Sequence, residues 1–470
     1  MEEPTLNKQE IFDQLPPIWP EAFLPQIQKA HQLSGKRLVV LDDDPTGTQT
    51  VQDIPLLTEW SVESLRRELE QSSVFFILTN SRSMIAEQAE AIGREIGKNL
   101  MEAAALAGVE FFVLSRSDST LRGHYPAEVD ALIEGVEQVY DAVVMVPYFE
   151  AGGRYTLNDI HYVQQGAELI PAALTEFAKD KAFPFQHSYL PAYVEEKTKG
   201  RILADQVMGI SLDLIRKGGP EAVKARLLEV PTGGVVVINA CAGRDLEVAV
   251  RGLQLAQAEG KQYLYRTAAS FVRVLAGIPV KPLLNAQSMA IDTPHGGLMI
   301  VGSHIKKSSL QLEKALQLEE VFSLEIEVGK LVEETARHAA IAQYLEQIEA
   351  AIRTGRNVVA YTSRKLIALG DASTSLSISR LISESICQIV ERLPIQPKFL
   401  IAKGGITSND VATKGLGVKR AMVAGQLQGG VPVWRLGPES KFPGMHYVVY
   451  PGNVGSEEGL AEAIRAFATP

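Results

Sequence analysis

A two-domain α/β protein is what this sequence predicts, each domain a mainly parallel or mixed sheet flanked by helices, with the active site in the cleft between them. Three observations predict it. At 470 residues with 46% hydrophobic content the chain is too long for one typical core and suits two. Short, nearly continuous apolar runs of strand length recur at 37–41, 74–78, 111–114, 142–146, 235–238 and 262–265, with helical patterns between them, which is the signature of a parallel sheet covered by helices. The periodicity then weakens between Ala276 and Asp292, where Gly277, Pro279, Pro282 and Asn285 interrupt it, before strand-turn-helix patterns resume. The expected division is an N-terminal extension 1–34, a first domain 35–276, a linker 277–295 and a second domain 296–470.

The extension carries Leu15-Pro16-Pro17-Ile18-Trp19-Pro20 and then a short amphipathic stretch, Phe23 to Leu33, expected to pack on the first domain. Arg37-Leu38-Val39-Val40-Leu41 reads as a buried strand that stops at Asp42-Asp43-Asp44-Pro45-Thr46-Gly47. Ligands of open α/β sheets bind beyond the carboxyl ends of strands. Three adjacent aspartates repel one another, so a fold that keeps them supplies cations, hydrogen-bond donors or a shared proton. Taken alone the triplet fits equally a solvated acidic turn with Asp44 or Thr46 capping a helix.

Two further strand ends change that balance. Val74 to Leu78 leads to Thr79-Asn80-Ser81-Arg82-Ser83, and Phe111 to Leu114 leads to Ser115-Arg116-Ser117-Asp118-Ser119-Thr120-Leu121-Arg122-Gly123. Guanidiniums suit a bidentate grip on carboxylate or phosphate, and hydroxyls suit sugar-like oxygens. Between them Ile85, Ala89, Ile92, Ile96, Leu100 and Ala103 form a helical stripe that Gly108 is placed to cap. After Ala142 to Val146 comes a turn with Gly152-Gly153-Arg154. His124 and His161 have polar neighbours, but a histidine beside aromatics is more often a hydrogen-bonded structural residue. The Thr175 to Asp180 run has no role derivable from its composition.

In the second domain several strand ends carry glycine: Gly302-Ser303-His304 after 297–301, Lys403-Gly404-Gly405-Ile406-Thr407-Ser408 after 397–402, Gly429-Gly430 after 420–424, and Pro451-Gly452-Asn453-Val454-Gly455 after 446–450. Glycine lets backbone N–H groups approach an anion, and Thr407 is expected to cap the next helix. Together these describe a nucleotide bed. Neither GxxxxGK[ST] nor GxGxxG occurs, so it is not a P-loop or dinucleotide fingerprint.

The net charge of −10 and pI near 5.5 argue against nucleic-acid or anionic-membrane surfaces. The polar, acidic start and the lack of an 18-residue apolar run lead to the expectation of a cytoplasmic protein. Cys241 and Cys387 are far apart and read as inert core residues.

DDDPTG, TNSRS and SDSTLRG, in this order, resemble the four-carbon acid-sugar kinase family, over more than nine-tenths of the chain. The resemblance implies a sugar-binding N-terminal domain, a nucleotide-binding C-terminal domain, and ATP with Mg2+ as cofactors. It places the acid sugar against Asp43, Asp44, Arg82, Arg116, Ser117, Asp118, Ser119, Arg122 and, through a comparable Gly-Arg loop, Arg154. It places ATP against Ser303, Gly404, Gly405, Ile406, Thr407, Gly430, Gly452 and Asn453, with metal ligands unassigned. Arg82, Arg116 and Arg122 are expected to grip the substrate carboxylate, and Asp44 or Asp118 to accept the proton of a terminal hydroxyl. Many relatives read Lys-Ser-Gly-Asn-Phe-Gly where this chain has Tyr450-Pro451-Gly452-Asn453-Val454-Gly455, a divergent branch without that lysine; Lys403, Arg364 or Lys365 could replace it. The function expected is ATP-dependent phosphorylation of a tetronate or 3-oxo-tetronate. A larger or branched oxo-acid sugar such as 3-oxo-isoapionate, and a non-catalytic sensor, are the alternatives. Homodimer formation is left open.

Overall fold

The computed structural model describes residues 3–363 and 372–467, without the side chains of 372–377. The chain forms two compact units: one runs to Val280 apart from Leu56–Thr58, the other comprises Leu56–Thr58 and the chain from Lys281 onward. Both are sheets flanked by helices.

The first unit is built on seven parallel strands: β1 (Arg37–Asp42), β2 (Val74–Leu78), β3 (Phe111–Arg116), β4 (Ala142–Val146), β5 (Val207–Ile210), β6 (Gly234–Ile238) and β7 (Tyr263–Thr267). Their order is β5-β6-β4-β7-β3-β1-β2. The apolar runs become strands because both faces are covered: Val39, Phe75, Phe76, Val113 and Val236 are fully buried. Because β1 lies between β2 and β3, the chain leaves it toward one edge and later crosses to the other side. A crevice therefore opens beyond the carboxyl end of β1, where the three aspartates sit.

The helix Ala86–Ala107 is capped by Gly108 in the left-handed conformation, as the pattern predicts. Ile85 does not belong to its buried face. It precedes the helix and is exposed, while Ala89, Gly93, Ile96, Gly97, Leu100 and Ala103 turn inward. Near the N-terminus, Leu24–Ser34 is helical with Ile27 fully buried, and Phe23 and Leu24 donate backbone N–H bonds to Glu247 Oε2 at 2.8 and 3.2 Å. Leu6–Asn7 pairs with Leu169 and Glu168 in a small antiparallel sheet whose remaining strands are Arg154–Leu157 and Ile160–Gln165. The extension is thus part of the first unit.

The second unit carries β8 (Leu298–Val301), β9 (Val321–Ile326), β10 (Asn357–Thr362), β11 (Leu400–Lys403), β12 (Arg420–Gln428), β13 (Val431–Leu436) and β14 (His446–Tyr450). The order is β12-β13-β14-β11-β8-β10-β9, antiparallel at β12-β13-β14 and parallel elsewhere. Here β8 lies between β10 and β11, so a second switch point falls at Gly302-Ser303. Leu284 and Ala286, in the stretch expected as a linker, donate backbone bonds to Gln426 and Ala466, and Met289 joins the core of this unit. The helix Ala372–Arg392 buries Ile386, Ile389 and Val390, while Ile378, Leu381 and Ile382 are only half-buried.

Candidate active site

Three strand ends of the first unit are stitched by their backbones. Asp43 N–H donates to Arg116 O, Arg82 N–H to Asp43 O, and Thr79 N–H and Oγ1 both donate to Asp42 O. Gly47 then folds the aspartate loop back onto itself so closely that a Cβ there would collide with the Asp42 carboxylate. That approach is open only to glycine.

The side chains form two layers. The inner layer is Asp42, Asp43 and Arg116, with side chains 1%, 3% and 5% exposed; Arg116 Nη1 lies 3.2 Å from Asp42 Oδ1 and 3.5 Å from Asp43 Oδ1. The outer layer is Asp44, Asp118, Arg82 and Arg122, at 16%, 12%, 17% and 23%. Arg82 pairs with Asp44 Oδ2, lies 3.2 Å from Asp118 Oδ1 and 3.9 Å from Asp43 Oδ1. Arg122 holds Asp118 through Nε at 2.8 Å and reaches Asp180 at 3.4 Å.

Environment divides these carboxyls. Burial pushes Asp42 up to about 8 and Asp43 upward as well, against the pull of the neighbouring guanidiniums. Asp44 is half-buried, and Arg82 and the hydrogen bonds from Thr46 hold it below its ordinary range against the cost of desolvation. Asp118 is held far lower still by Arg122 and Arg82, and Thr120 Oγ1 adds a further bond.

The structure brings the sequence-derived candidates into one neighbourhood, with different surroundings for each. Arg116 is sunk beneath the aspartates as their counter-charge. Ser117 is buried, with its N–H donating to Thr267 O at 2.8 Å and its hydroxyl unpartnered. Ser119 is fixed through its carbonyl by His161 Nε2 at 2.8 Å, while Thr156 Oγ1 meets the other ring nitrogen at 3.0 Å. Burial lowers His161 to about 4, so it stays neutral and structural. His124 likewise bridges the carbonyls of Ser81 and Met84 at 3.1 Å. Arg154 bonds Gly152 O and stacks over Phe177 at 5.4 Å, and Arg122 stacks on the same ring at 5.1 Å. The Thr175 to Asp180 run therefore has a place after all: Phe177 and Asp180 hold the two arginines.

Sequence reasoning passed over Asp42 as a separate group, and it missed Glu128, Arg266 and Thr267. Glu128 accepts from Ser81 Oγ. Arg266 and Thr267 end β7, and their polarity at a strand's carboxyl end was the available signal. Of the buried side-chain polar atoms without a hydrogen-bond partner among the described residues, Asp42 Oδ2, both Asp43 oxygens, Arg116 Nε, Ser117 Oγ, Arg266 Nη2 and Thr267 Oγ1 all lie at the carboxyl ends of β1, β3 and β7. Buried polar groups are nearly always satisfied, so such a concentration marks where a polar ligand or ordered water belongs.

In the second unit, Ser303, Gly404, Thr407 and Gly452 converge. A Cβ at Gly404 (φ +111°) would sit 3.2 Å from Ser303 Cβ, and one at Gly452 would lie 3.5 Å from Ser303 Oγ. A Cβ at Gly302 would run into the Thr407 hydroxyl. Ser308 Oγ ties Ser303 Oγ to Gly452 O at 3.0 and 3.1 Å. Hydroxyls and glycine backbone of this kind fit phosphate oxygens. Gly405 and Ile406 open the helix Gly405–Asp410, whose N-cap is Gly404; Thr407 lies inside the helix and does not cap it. Gly430 turns the β12–β13 hairpin, where its N–H is taken by Gln426 Oε1 at 2.8 Å. Asn453 is exposed.

At the position of the missing lysine, Tyr450 is buried and donates to Gln428 Oε1 at 2.8 Å. Lys403 comes from beneath, with Nζ 2.7 Å from Pro451 O, 3.2 Å from Gly452 O and 4.4 Å above the Tyr450 ring. Arg364 and Lys365 lie outside the described residues. Among the described residues no three His, Cys, Asp or Glu side chains are grouped as a metal cage; Mg2+ held by nucleotide phosphates needs few protein ligands. No helix among them is long and apolar enough to cross a membrane.

Comparison with known families gives the two units their class, a sugar-binding and a nucleotide-binding domain. Residues 38–275 match the model of the sugar-binding N-terminal domain and residues 298–460 that of the nucleotide-binding C-terminal domain. The chain belongs to the four-carbon acid-sugar kinase family. Its fold is similar to that of a Salmonella typhimurium LT2 protein labelled a candidate tRNA synthase (TM-score 0.68, 18% identity, 92% of this chain and 100% of that one). It is also similar to Haemophilus influenzae protein HI1011 (TM-score 0.60, 17% identity, 92% and 100%). Among curated proteins none matches the chain.

Proposed function

We propose that this protein transfers the γ-phosphoryl group of ATP to a terminal hydroxyl of a small acid sugar of the tetronate or 3-oxo-tetronate type. The observation that carries the proposal is the layered Asp–Arg cluster at the first switch point, with its group of unpartnered polar atoms, in a chain whose other switch point is a glycine and hydroxyl bed. The acidic class of the substrate rests on the family to which the chain belongs. A nucleic acid would call for a basic surface, which the charge of −10 does not provide.

ATP with Mg2+, when bound, supplies the phosphoryl group and neutralises its oxygens. The chain's own residues do the rest. Ser303, Gly404, Thr407 and Gly452 hold phosphates. Arg82 and Arg122, in the outer layer, position the substrate's polar groups. Asp44 is the better proton acceptor of the two outer carboxylates: Asp118 has Arg122 and Thr120 on one oxygen and Arg122 and Arg82 on the other, whereas Asp44 has Thr46 on Oδ1 and, among the described residues, Arg82 alone on Oδ2. Asp118 then serves to orient the two arginines.

ADP release measured over tetronates, oxo-tetronates, pentose-derived and branched oxo-acids tests this. Turnover with a four-carbon acid and none with the matching neutral polyol is expected. Binding of acid and ATP without ADP release would instead make the protein a sensor.

A further inference from the structure

The arginines expected to hold the substrate carboxylate are already committed. Arg82 is shared by Asp44, Asp118 and Asp43; Arg116 is held by Asp42 and Asp43; Arg122 is held by Asp118 and Asp180. Guanidiniums whose N–H groups already face two or three aspartate side chains have little left for a substrate carboxylate. Arg266 is different. It lies near the end of β7, is 3% exposed, sits with its Cζ 4.8 Å from the Tyr125 ring centroid, and its Nη2 has no hydrogen-bond partner among the described residues. Among the described residues no carboxylate is paired with it.

What faces it is equally unsatisfied. Gly123 has φ +122°, and the point where its Cβ would stand lies 3.3 Å from Asp43 Oδ2 and 3.7 Å from Arg266 Nη2. Both groups thus border the same small space, both are buried, and they do not pair with each other. Thr267 Oγ1, next to Arg266 on β7, and Ser117 Oγ, just beyond β3, are without hydrogen-bond partners as well. A guanidinium nitrogen, a carboxyl oxygen and two hydroxyls, all buried and without hydrogen-bond partners among the described residues, call for a polar ligand or water. Ordinary side chains at Gly123 would intrude on it.

We infer that Arg266 anchors the carboxylate of the acid sugar, with Asp43 bonding the adjacent hydroxyl, so that this pair selects an α-hydroxy acid over a neutral polyol. The inference rests on the acid-sugar reading above and assigns the deep end of the substrate to the inner layer. The hydroxyl to be phosphorylated is then left at the outer layer, beside Asp44. A guanidinium can grip a carboxylate at two points, which a lysine cannot copy.

The test is direct binding without turnover, which separates this inference from the kinase reading itself. Calorimetry with erythronate and threonate, with erythritol and threitol as neutral probes and ADP as a control, is run on the full chain. Arg266→Met is expected to weaken the acid that binds by about 100-fold, an expectation from the cost of unpairing a buried charged hydrogen bond, while ADP affinity and the weak polyol binding stay as they were. Arg266→Lys is expected to recover part of the loss. Acid affinity within twofold of the unaltered protein in Arg266→Met overturns the inference. Should that variant fail to fold, Arg266→Lys decides: unchanged acid affinity overturns it, and an acid-specific loss of about tenfold supports it. Wild-type binding of acid without ADP release would sink the kinase reading and leave this one standing.

Discussion

Arg82 joins Asp44 to Asp118: one guanidinium nitrogen pairs with Asp44 Oδ2, and another lies 3.2 Å from Asp118 Oδ1. The two carboxylates are therefore coupled through a shared cation but differ in spare capacity. Asp44→Asn keeps the shape and a hydrogen-bonding oxygen, so acid affinity should be largely retained while turnover falls about 10²–10⁴-fold. Asp118→Asn loosens Arg82 and Arg122 together and should show chiefly as a raised KM for the acid. Steady-state kinetics on both variants checks this. A collapse of kcat in Asp118→Asn alone would move the base to β3.

Asp42 is expected to make stability pH-dependent. Burial raises its pKa in the folded chain to about 8 from an unfolded value of 3.8. Between those values the folded chain holds the proton more tightly, so this group's contribution is full below pH 3.8 and is lost as pH rises toward 8. Asp42→Asn removes the titration and keeps an oxygen for Arg116. Denaturant midpoints should therefore show the variant gaining on the wild type progressively from pH 4 to pH 8. A constant difference over that range would mean that Asp42 is ionised throughout.

Gly47 and Gly452 are complementary probes of the two units. A Cβ at Gly47 would collide with the buried Asp42 carboxylate, which Arg116 holds in place. Gly47→Ala should cost about 1–3 kcal/mol, the usual range for overpacking, and should abolish acid binding while ADP binding survives. Gly452→Val would instead crowd Ser303 and Ile305, whose atoms lie 3.5 and 3.3 Å from its Cβ position. It should raise KM for ATP much more than KM for the acid. Thermal melts and two-substrate kinetics distinguish these outcomes; ATP kinetics untouched by Gly452→Val would place the nucleotide elsewhere.

The strands that bear these groups were legible because a strand buried on both faces has to be an unbroken apolar run, as at Val74–Leu78 and Ala142–Val146. Edge and alternating strands were not: Val321–Ile326 turns Ser323 and Glu325 to solvent, and Val207–Ile210 is short and contains Gly209. The outer layer was legible from its charges at strand ends. Arg266 was not, because the run Gln262 to Tyr265 looked complete, whereas the strand continues through Arg266 to Thr267. Pairing is also invisible to spacing. Nothing in the order of Arg82, Arg116 and Arg122 tells which of them aspartates have neutralised, nor that Phe177 lies under Arg122 and Arg154.

Lys403 gives the last prediction. Its ammonium is buried, tied to the carbonyls of Pro451 and Gly452, and faces the stretch where relatives carry a lysine. Burial lowers its pKa to about 7 from 10.5, with the nearby Lys307 charge adding to the effect. Between pH 7 and 10.5 the unfolded chain binds this proton and the folded chain does not, so stability should rise with pH across that window; Lys403→Met should flatten the rise. If the same ammonium offsets nucleotide phosphates, their charge will draw the proton back, and ADP or ATP binding at pH 8 should be accompanied by proton uptake. Calorimetry in two buffers of different ionisation enthalpy reads that uptake. It should be present in the wild type and absent in Lys403→Met, whose KM for ATP should rise about tenfold or more. Uptake that persists in the variant would assign the proton to another group. An unchanged KM with no uptake in either protein would leave Lys403 as a support for the Pro451–Gly452 turn, with the phosphate charge offset by some other cation.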